Sequence, residues 1–319
     1  MSDPTRVLLW TDAPQAYLAA IDAAGLGPRV AVECIARNET PNQAQIAGTE
    51  AMLAMGAPPG LLPRMGKLRW LQALTAGVEG ILALPDLPDG LTLTCARGTH
   101  RESMPENIMG ALFYLTKPYA QIAEDNKEKR WARRMPEPLN GKTIGILGLG
   151  VIGADIARIA AALNMRVIGT RRTGGSVPGV EKVVPPERTD EILAESDYVI
   201  ALLPATPATE NFINAALLAK MKPTAWLLNY GRGHTIHDAD LIAAVNEKRI
   251  AGAILDVFRQ EPLPAEHPFW STPGIMVLPH IGGPHPDRDR IVARLFVDNL
   301  ARFLDGKPLR ETVDRARGY

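Results

Sequence analysis

The sequence has few cysteines and no net charge, and each of these features argues against a class of protein. Only Cys34 and Cys95 occur among 319 residues, and neither belongs to a Cys-x-x-Cys pair. This argues against a disulfide framework or a zinc knuckle, so we expect no metal site and a reducing, cytoplasmic environment. The 35 basic and 35 acidic residues balance. No overall field therefore recruits nucleic acid or an anionic membrane.

Long apolar runs are also missing. No stretch reaches the roughly 18 apolar residues that a membrane-spanning helix needs. Residues 1–6 lead directly into the apolar run 7–10, without the long apolar segment and small-residue cleavage site of a signal peptide. We therefore expect a soluble protein with no membrane partner. At this length the chain exceeds the size of a single hydrophobic core, so two domains are expected.

Short apolar runs alternate with helical patterns along the chain, which is typical of a parallel α/β sheet. In the first block helical patterns at 16–24 and 42–55 separate strand patterns at 7–10, 30–35, 68–74 and 91–95. A helical stretch at 104–117 and a turn-rich segment at 136–141 lead into a second block. Its strand patterns lie at 143–147, 166–169, 198–203, 225–228, 253–257 and 275–278. We predict two doubly wound domains, with the amphipathic helix 287–304 returning to the first.

Three glycines with GxGxxG spacing lie between a predicted strand and a predicted helix. The loop reads Gly148-Leu149-Gly150-Val151-Ile152-Gly153. The first glycine permits a tight turn, the second lets the backbone approach a pyrophosphate, and the third lets the helix pack on the strand. The helix N-terminus attracts the anion. This predicts a dinucleotide-binding loop in a Rossmann domain, and the alternative is a glycine-bearing turn that binds nothing.

The residues after the second strand of this block indicate the cofactor. Dinucleotide-binding loops usually have an acidic residue about 20 positions on, which accepts the ribose hydroxyl. Here that place holds Thr170, Arg171 and Arg172, followed by another threonine. Two guanidinium groups offer charge-assisted bonds to a 2′-phosphate. We predict that NADP(H) is preferred and that NAD(H) is possible; the alternative is a solvated basic turn without a ligand.

Three charged or titratable residues follow the last predicted strands, at the edge where open α/β sheets bind ligands. They are Arg232, Glu261 and His280. Reduction of a 2-oxo acid needs a cation to hold the carboxylate and polarise the carbonyl, and an acid to protonate the developing alkoxide. Arg232 suits the first task and His280 the second, with Glu261 orienting the imidazole. Each residue taken alone has a simpler interpretation. Arg232 could cap a turn, Glu261 could be a solvated loop charge, and His280 could be a histidine whose hydrogen bonds are made within the fold.

With these residues the chain resembles the D-isomer-specific 2-hydroxyacid dehydrogenase family over nearly its whole length. The resemblance is carried by the glycine loop and by residues 229–233, 255–264 and 279–283. It implies that Arg232 binds substrate, that Glu261 pairs with the proton donor His280, and that Asp256 contacts the nicotinamide end of the cofactor. A surface or helix-contacting aspartate is the alternative for Asp256.

The same resemblance extends to further site residues. Residues 75–79 resemble the family loop whose backbone N–H groups hold the substrate carboxylate, which implies that Ala76, Gly77 and Val78 bind substrate together with Arg232 and His280. Further cofactor contacts are expected at Leu203, Pro204, Thr209, Tyr230 and Gly282. Residues 1–100 with 286–319 are then the substrate-binding, flavodoxin-like domain, and residues 101–285 are the NAD(P)-binding Rossmann domain. A homodimer is also implied.

Within the family, residues 266–270 and 314–319 most resemble the glyoxylate/hydroxypyruvate reductases. This implies NADPH-dependent reduction of a small 2-oxo acid to the D-2-hydroxy acid. Three positions depart from the common family pattern: Arg171 stands where many members have aspartate, His285 where threonine is common, and Pro105 where a small residue is usual. The last two bear on the shape of the substrate and leave the proton chemistry intact.

Three alternative functions share parts of this pattern. The family includes transcriptional corepressors, so a nucleotide-sensing binding protein is one, although the long extensions that would favour it are absent from the sequence. A phosphite-type dehydrogenase would use the same charged trio. A formate dehydrogenase would have glutamine in place of Glu261, and the carboxylate argues against it.

Overall fold

The computed structural model describes residues 3–318. The chain divides into two compact units, of which the first runs to Thr99 and resumes at His285, and the second comprises His100–Pro284. The boundaries predicted from the sequence lie one residue further along the chain. Within residues 3–318, no helix is long and apolar enough to cross a membrane.

The first unit contains a sheet of five parallel strands. They are β1 (Thr5–Trp10), β2 (Val30–Ile35), β3 (Ala51–Ala54), β4 (Trp70–Ala73) and β5 (Thr92–Thr94). Their order is β2-β1-β3-β4-β5, which is the order of flavodoxin-like doubly wound folds. Helices connect the strands, because parallel neighbours need crossover connections. These helices are α1 (Pro14–Ala23), α2 (Gln43–Gly48) and α3 (Glu79–Leu82).

The helical pattern predicted for residues 42–55 is wrong in its second half. Asn42 and Gln45 form a reciprocal capping box that starts α2, as the pattern indicates. The helix ends after Gly48, and β3 follows, with all four of its residues buried. A short strand buried on both faces lacks the alternation that distinguishes strand from helix. This is why the sequence did not reveal it.

The second unit contains a sheet of seven parallel strands. They are β6 (Thr143–Leu147), β7 (Arg166–Thr170), β8 (Lys182–Val184), β9 (Tyr198–Ala201), β10 (Trp226–Asn229), β11 (Gly252–Leu255) and β12 (Ile275–Val277). The helices are α4 (Ser103–Thr116), α5 (Tyr119–Lys127), α6 (Val151–Ala162), α7 (Thr189–Glu195), α8 (Ala215–Leu218) and α9 (Asp238–Asn246). The predicted pair of doubly wound parallel sheets is confirmed. The sequence analysis missed β8, which has only three residues and begins with a lysine.

The strand order of the second sheet defines where a ligand should bind. The order is β12-β11-β10-β9-β6-β7-β8, so the direction of winding reverses between β6 and β9. In open α/β sheets, ligands bind outside the carboxyl ends of the strands at such a reversal. The glycine loop follows β6, and Arg232, Glu261 and His280 follow β10, β11 and β12. All four segments therefore leave the sheet at the same edge.

The last helix, α10 (Arg288–Leu304), belongs to the first unit. Its Phe296 is fully buried and stacks on Trp70 of β4, with ring centroids 5.3 Å apart and an interplanar angle of 18°. Tyr17 of α1 meets the same ring edge-on at 6.0 Å. The apolar face of α10 therefore covers the first sheet, and its polar face remains in solvent.

Replacing Phe296 by alanine should lower the free energy of unfolding of the first unit by about 3–5 kcal/mol, because a buried ring is lost from a stacked cluster. Urea denaturation followed by circular dichroism measures this change. Leu18→Ala is the control, since Leu18 lies on α1 with 36% exposure and should change stability by less than about 1 kcal/mol. An equal loss in both variants would contradict the role of α10 in this core.

Candidate active site

The glycine loop is fixed between the ends of two neighbouring strands. Gly148 has a φ of 104°, which residues with a side chain rarely adopt. Its backbone N–H donates to the hydroxyl of Thr170 at the end of β7 (3.2 Å), and the N–H of Leu149 donates to the Thr170 carbonyl (2.8 Å). Gly150 is the N-cap of α6. The positive end of that helix therefore lies at the loop.

The three glycines of the loop are required for different reasons. A Cβ on Gly148 would lie 3.1 Å from the carbonyl oxygen of Leu202, and one on Gly153 would lie 2.7 Å from the carbonyl oxygen of Gly148. A Cβ on Gly150 would meet no atom within 4 Å, and its φ of −85° is ordinary. Packing therefore explains two glycines, and Gly150 leaves the backbone open to close approach. That arrangement fits a dinucleotide pyrophosphate.

The other residues of the loop are placed differently. Leu149 is buried at 2% exposure and packs in the core of the second unit. Val151 is 44% exposed at the first turn of α6, and Ile152 is half-buried. The Leu149 side chain therefore belongs to the core, and a ligand on the open side of the loop would meet backbone and the exposed Val151.

The end of β7 places a buried threonine beside two arginines. Thr170 is 3% exposed, and its hydroxyl is engaged with the glycine loop. Arg171 is half-buried, and its backbone N–H donates to Val184 of β8 (2.9 Å). Arg172 is exposed. Thr170 thus supports the loop, while the two arginines bring positive charge to the position where NAD-binding domains usually have an acidic residue.

The loop after β9 is bonded to the end of β6 and is also fixed by hydrogen bonds within itself. Leu202 N–H donates to the carbonyl of Leu147 at the end of β6 (2.9 Å). The hydroxyl of Thr209 donates to the Pro204 carbonyl (2.6 Å) and accepts from the N–H of Thr206 (2.9 Å). Thr209 therefore fixes the course of the segment that begins at the half-buried Leu203.

Three glycines bring the loops after β9 to β12 into direct contact. They are Gly231, Gly233 and Gly282. A Cβ on Gly231 would lie 2.6 Å from the carbonyl oxygen of Leu203, and one on Gly233 would lie 2.0 Å from the carbonyl carbon of Phe258. A Cβ on Gly282 would lie 2.7 Å from the carboxylate of Asp256. Real side chains do not tolerate such separations. Each loop can approach its neighbour only because the glycine has no side chain.

Arg232 is held by residues that the sequence analysis gave no role. Its carbonyl accepts from the side-chain amide of Asn229 (3.1 Å) and from the hydroxyl of Thr235 (2.6 Å). The Asn229 amide oxygen accepts from the N–H of Gly231 (3.1 Å), and Asn229 and Thr235 are fully buried. The Arg232 Nη1 donates to the carbonyl of Gly231 (2.8 Å). One signal for Asn229 existed: it is a polar residue at the end of an apolar strand.

The structure brings Glu261 and His280 together. Glu261 Oε2 lies 2.6 Å from Nδ1 of His280, and Glu261 Oε1 accepts from the backbone N–H of Phe258 (2.9 Å). His280 has a φ of 53°, and its N–H donates to the Leu278 carbonyl (3.0 Å). The His280 side chain is 50% exposed and that of Glu261 is 35% exposed. The carboxylate fixes the ring, which leaves Nε2 as the nitrogen that can serve a ligand.

Asp256 is buried beneath the turn that carries His280. It is 1% exposed, and its two carboxylate oxygens accept from the backbone N–H groups of Ile281 (2.7 Å) and Gly282 (2.9 Å). Burial raises the pKa of Asp256 above its usual range, although these two N–H groups oppose the shift. The carboxylate therefore holds the His280 turn in place through the residues that follow the histidine.

Tyr230 is packed against the same turn. It is 2% exposed, and a Cβ on Gly282 would lie 2.7 Å from its ring. Burial and the nearby Asp256 raise the pKa of its hydroxyl well above the usual range. Among the described residues, the hydroxyl has no hydrogen-bond partner. The Tyr230 side chain thus forms part of the core beneath the site.

The predicted substrate loop lies in the first unit, whereas the other predicted site residues lie in the second. The loop follows β4 and contains the half-buried Ala76 and Gly77. The hydroxyl of Thr75 donates to the Gly77 carbonyl (2.6 Å). Val78 is buried, and its carbonyl accepts from the N–H of Ile81 (3.0 Å) in α3. Short-range bonds thus fix the loop on both sides.

Comparison with known proteins identifies the relatives of this chain. The family model described as the NAD binding domain of D-isomer specific 2-hydroxyacid dehydrogenase matches residues 109–282. Glyoxylate/hydroxypyruvate reductase A of Serratia proteamaculans is 33% identical over 273 residues, covering 82% of this chain and 85% of the relative. The corresponding protein of Yersinia enterocolitica is 31% identical over 271 residues, with coverages of 82% and 85%.

Solved structures show the same fold along the whole chain. A D-isomer specific 2-hydroxyacid dehydrogenase from Xanthobacter autotrophicus, in complex with NADPH and MES, superposes with a TM-score of 0.88 at 29% identity, covering 99% of this chain and 100% of that one. The NADPH-dependent glyoxylate/hydroxypyruvate reductase of Sinorhizobium meliloti, in complex with NADP and sulfate, gives 0.85 at 30% identity with the same coverages. The resemblance inferred from the motifs is confirmed. The chain therefore belongs to the D-isomer specific 2-hydroxyacid dehydrogenase family, as an NAD(P)-dependent enzyme.

Proposed function

We propose that the protein reduces glyoxylate, hydroxypyruvate or a similar small 2-oxo acid to the D-2-hydroxy acid, with NADPH as the preferred reductant. The observation that carries the proposal is the 2.6 Å contact between Glu261 and Nδ1 of His280, at the sheet edge where Arg232 also lies. The named reductases among the relatives, at about one third identity, support the choice of substrate.

His280 is proposed as the proton donor. Its Nδ1 is engaged by Glu261, so the proton that reaches substrate is held at Nε2. When bound, NADPH supplies the hydride that reduces the carbonyl carbon. The imidazolium gives its proton to the carbonyl oxygen as that oxygen gains negative charge, and the Glu261 carboxylate stabilises the imidazolium before the transfer. The strained turn at His280, held by Asp256, positions the ring for this step.

Arg232 and the loop after β4 are proposed to hold the substrate. The guanidinium would bind the carboxylate and polarise the carbonyl, and its backbone is fixed by Asn229 and Thr235. A preorganised cation stabilises developing oxyanion charge without reorganising during the reaction. The backbone N–H groups of Ala76, Gly77 and Val78 would bind the carboxylate. The first unit is thereby assigned to substrate and the second to the cofactor.

NADPH preference is proposed on the charge at the end of β7. Arg171 and Arg172 stand there, and either guanidinium can form charge-assisted bonds to a 2′-phosphate. The relatives from Xanthobacter autotrophicus and Sinorhizobium meliloti were crystallised with NADPH and NADP. NADH remains a poorer substitute, because the glycine loop binds the pyrophosphate that both cofactors share.

His280→Asn should lower kcat for glyoxylate by roughly 10²- to 10⁴-fold while leaving NADPH binding intact, because the proton donor is lost and the glycine loop is unchanged. Nicotinamide absorbance measures turnover, and fluorescence titration measures binding. His237→Asn, which changes a partly exposed histidine at the N-cap of α9, is the control and should retain most activity. A fully active His280→Asn protein would show that the proton comes from another group.

Arg171→Asp should reduce the preference for NADPH over NADH by at least about tenfold, because a carboxylate repels the 2′-phosphate and accepts from a ribose hydroxyl. The ratio of kcat/KM for the two cofactors measures this. Arg294→Asp makes the same charge change on an exposed position of α10 and should leave the ratio unchanged. An unaltered ratio in Arg171→Asp would place phosphate recognition elsewhere.

A homodimer is proposed on an exposed apolar surface of the second unit. Tyr119 of α5 is 70% exposed, Trp131 is 97% exposed and Met135 is 83% exposed. Arg134 donates to both oxygens of the buried Asp125 (2.7 and 3.1 Å), which holds the segment of Trp131 and Met135 against α5. Apolar groups as large and as exposed as these three are candidates for an interaction site.

Trp131→Asp should convert the dimer to a monomer, because burying the new carboxylate in an interface is unfavourable. Light scattering coupled to size-exclusion chromatography measures the mass. Trp270→Asp changes another exposed tryptophan of the same unit, 54% exposed, and should remain dimeric. A wild-type protein of monomer mass, or a dimeric Trp131→Asp protein, would contradict this assignment.

A further inference from the structure

The turn that carries His280 has a backbone conformation that needs support from other elements. The φ of His280 is 53°, in the left-handed region that residues with a side chain rarely adopt. Such a conformation persists only where the surrounding structure enforces it. Asp256 accepts from the N–H groups of the next two residues, Ile281 (2.7 Å) and Gly282 (2.9 Å). The carbonyl groups of the same two residues need donors of their own.

The first turn of α4 supplies these donors. The side-chain amide of Asn107 donates from Nδ2 to the carbonyl oxygens of Ile281 (3.3 Å) and Gly282 (3.2 Å). The hydroxyl of Ser103 also donates to the Gly282 carbonyl (3.2 Å). Asn107 is half-buried and Gly282 is buried. A carbonyl that lost its donor here would therefore not regain a hydrogen bond from bulk water, which makes the loss costly.

Ser103 and Asn107 lie on the same face of α4, because residues four apart on a helix are neighbours one turn apart. The Asn107 Nδ2 atom lies 3.1 Å from the Ser103 carbonyl oxygen and 3.2 Å from the Ser103 hydroxyl. These contacts hold the amide between the helix and the turn. A Cβ on Gly283 would lie 3.1 Å from the ring of His100, in the segment that precedes α4. The turn and the start of α4 are therefore closely packed.

The peptide groups at residues 281 and 282 are thus held on both sides, by Asp256 at their N–H groups and by α4 at their carbonyls. Glu261 fixes the rotation of the His280 ring through Nδ1 (2.6 Å). The backbone of the turn fixes where the ring lies. Both are needed to place Nε2, because proton transfer depends on the distance between donor and acceptor. A displacement of about 1 Å at a reacting group lowers a rate by roughly a hundredfold.

We propose that Asn107, assisted by Ser103, is a positioning residue for the proton donor: its amide holds the carbonyls of the His280 turn and thereby sets the location of Nε2. The inference rests on the proposed function, which assigns the transferred proton to His280. Asn107 acts through the turn, without touching substrate or cofactor. Its amide is required, because a leucine in its place would offer no donor and an ionised aspartate would bring acceptors against two carbonyl oxygens.

Asn107→Leu tests the proposal, since it roughly keeps the size of the side chain and removes the donor. With glyoxylate and NADPH, kcat should fall by about 10- to 100-fold. The KM for glyoxylate and the dissociation constant of NADPH should stay within about threefold, because Arg232 and the glycine loop are unchanged. The ratio of kcat in H2O to kcat in D2O should rise, because proton transfer becomes the slow step. A partly unfolded sample would lower kcat without changing this ratio.

Two further variants accompany this one. Asn246→Leu makes the same change at the exposed last residue of α9 and should alter none of these quantities. Ser103→Ala removes the other donor to Gly282 and should lower kcat by a smaller factor, about 2- to 10-fold, with the same rise in the ratio. Circular dichroism shows whether each variant is folded. Should Asn107→Leu fail to fold, the milder Ser103→Ala decides, and an unchanged kcat in it would overturn the proposal.

A second measurement does not depend on turnover. Nuclear magnetic resonance of isotope-labelled protein records the imidazole signals of its six histidines, and the His280 signal is identified by its loss in His280→Asn. This signal should shift in Asn107→Leu, because the ring moves relative to Glu261, and should stay in place in Asn246→Leu.

The outcomes separate the inference from the proposed function. In a wild-type protein that reduces glyoxylate, an unchanged kcat in Asn107→Leu, or a lower kcat without a rise in the ratio, would overturn the inference and leave the proposed function standing. An unchanged His280 signal would overturn it as well. If the wild type reduced neither glyoxylate nor hydroxypyruvate, the proposed function would fail, and the His280 signal alone would decide whether Asn107 holds the ring.

Discussion

The candidate active site depends on how closely backbones can approach at the carboxyl edge of the second sheet. Gly231, Gly233 and Gly282 lie where any side chain would overlap the neighbouring loop. Without them, the loops after β9 to β12 would separate by the width of a methyl group or more. The functional side chains lie on these same loops, so their spacing is set by packing between backbones.

Part of this arrangement could be predicted from the sequence, because its signals are local. The GxGxxG pattern between a strand and a helix is typical of a dinucleotide-binding loop. Arg232, Glu261 and His280 each follow an apolar run that is easy to recognise as a strand. The edge at which parallel strands end is shared, so residues far apart in sequence are expected near one another. The contact between Glu261 and His280 agrees with this reasoning, whereas the roles of the cofactor-contacting residues stay predictions.

Other features depend on tertiary context that one sequence does not reveal. β3 lacks alternation since both of its faces are buried, and β8 is too short to form a pattern. The support that the Thr170 hydroxyl gives to the glycine loop is not visible in the sequence, and its predicted contact with the cofactor stays a prediction. Asn229 stabilises Arg232 through hydrogen bonds that only the folded backbone defines.

The position of α10 has a consequence for how the protein forms during synthesis. The second unit is one continuous segment, and every strand of its sheet is synthesised before α10. The first unit begins earlier but has to wait for Phe296 to cover Trp70. Until then, one apolar face of the N-terminal sheet remains open to solvent, or to chaperones that bind such faces. The part of the chain translated first is thus the last to be completed.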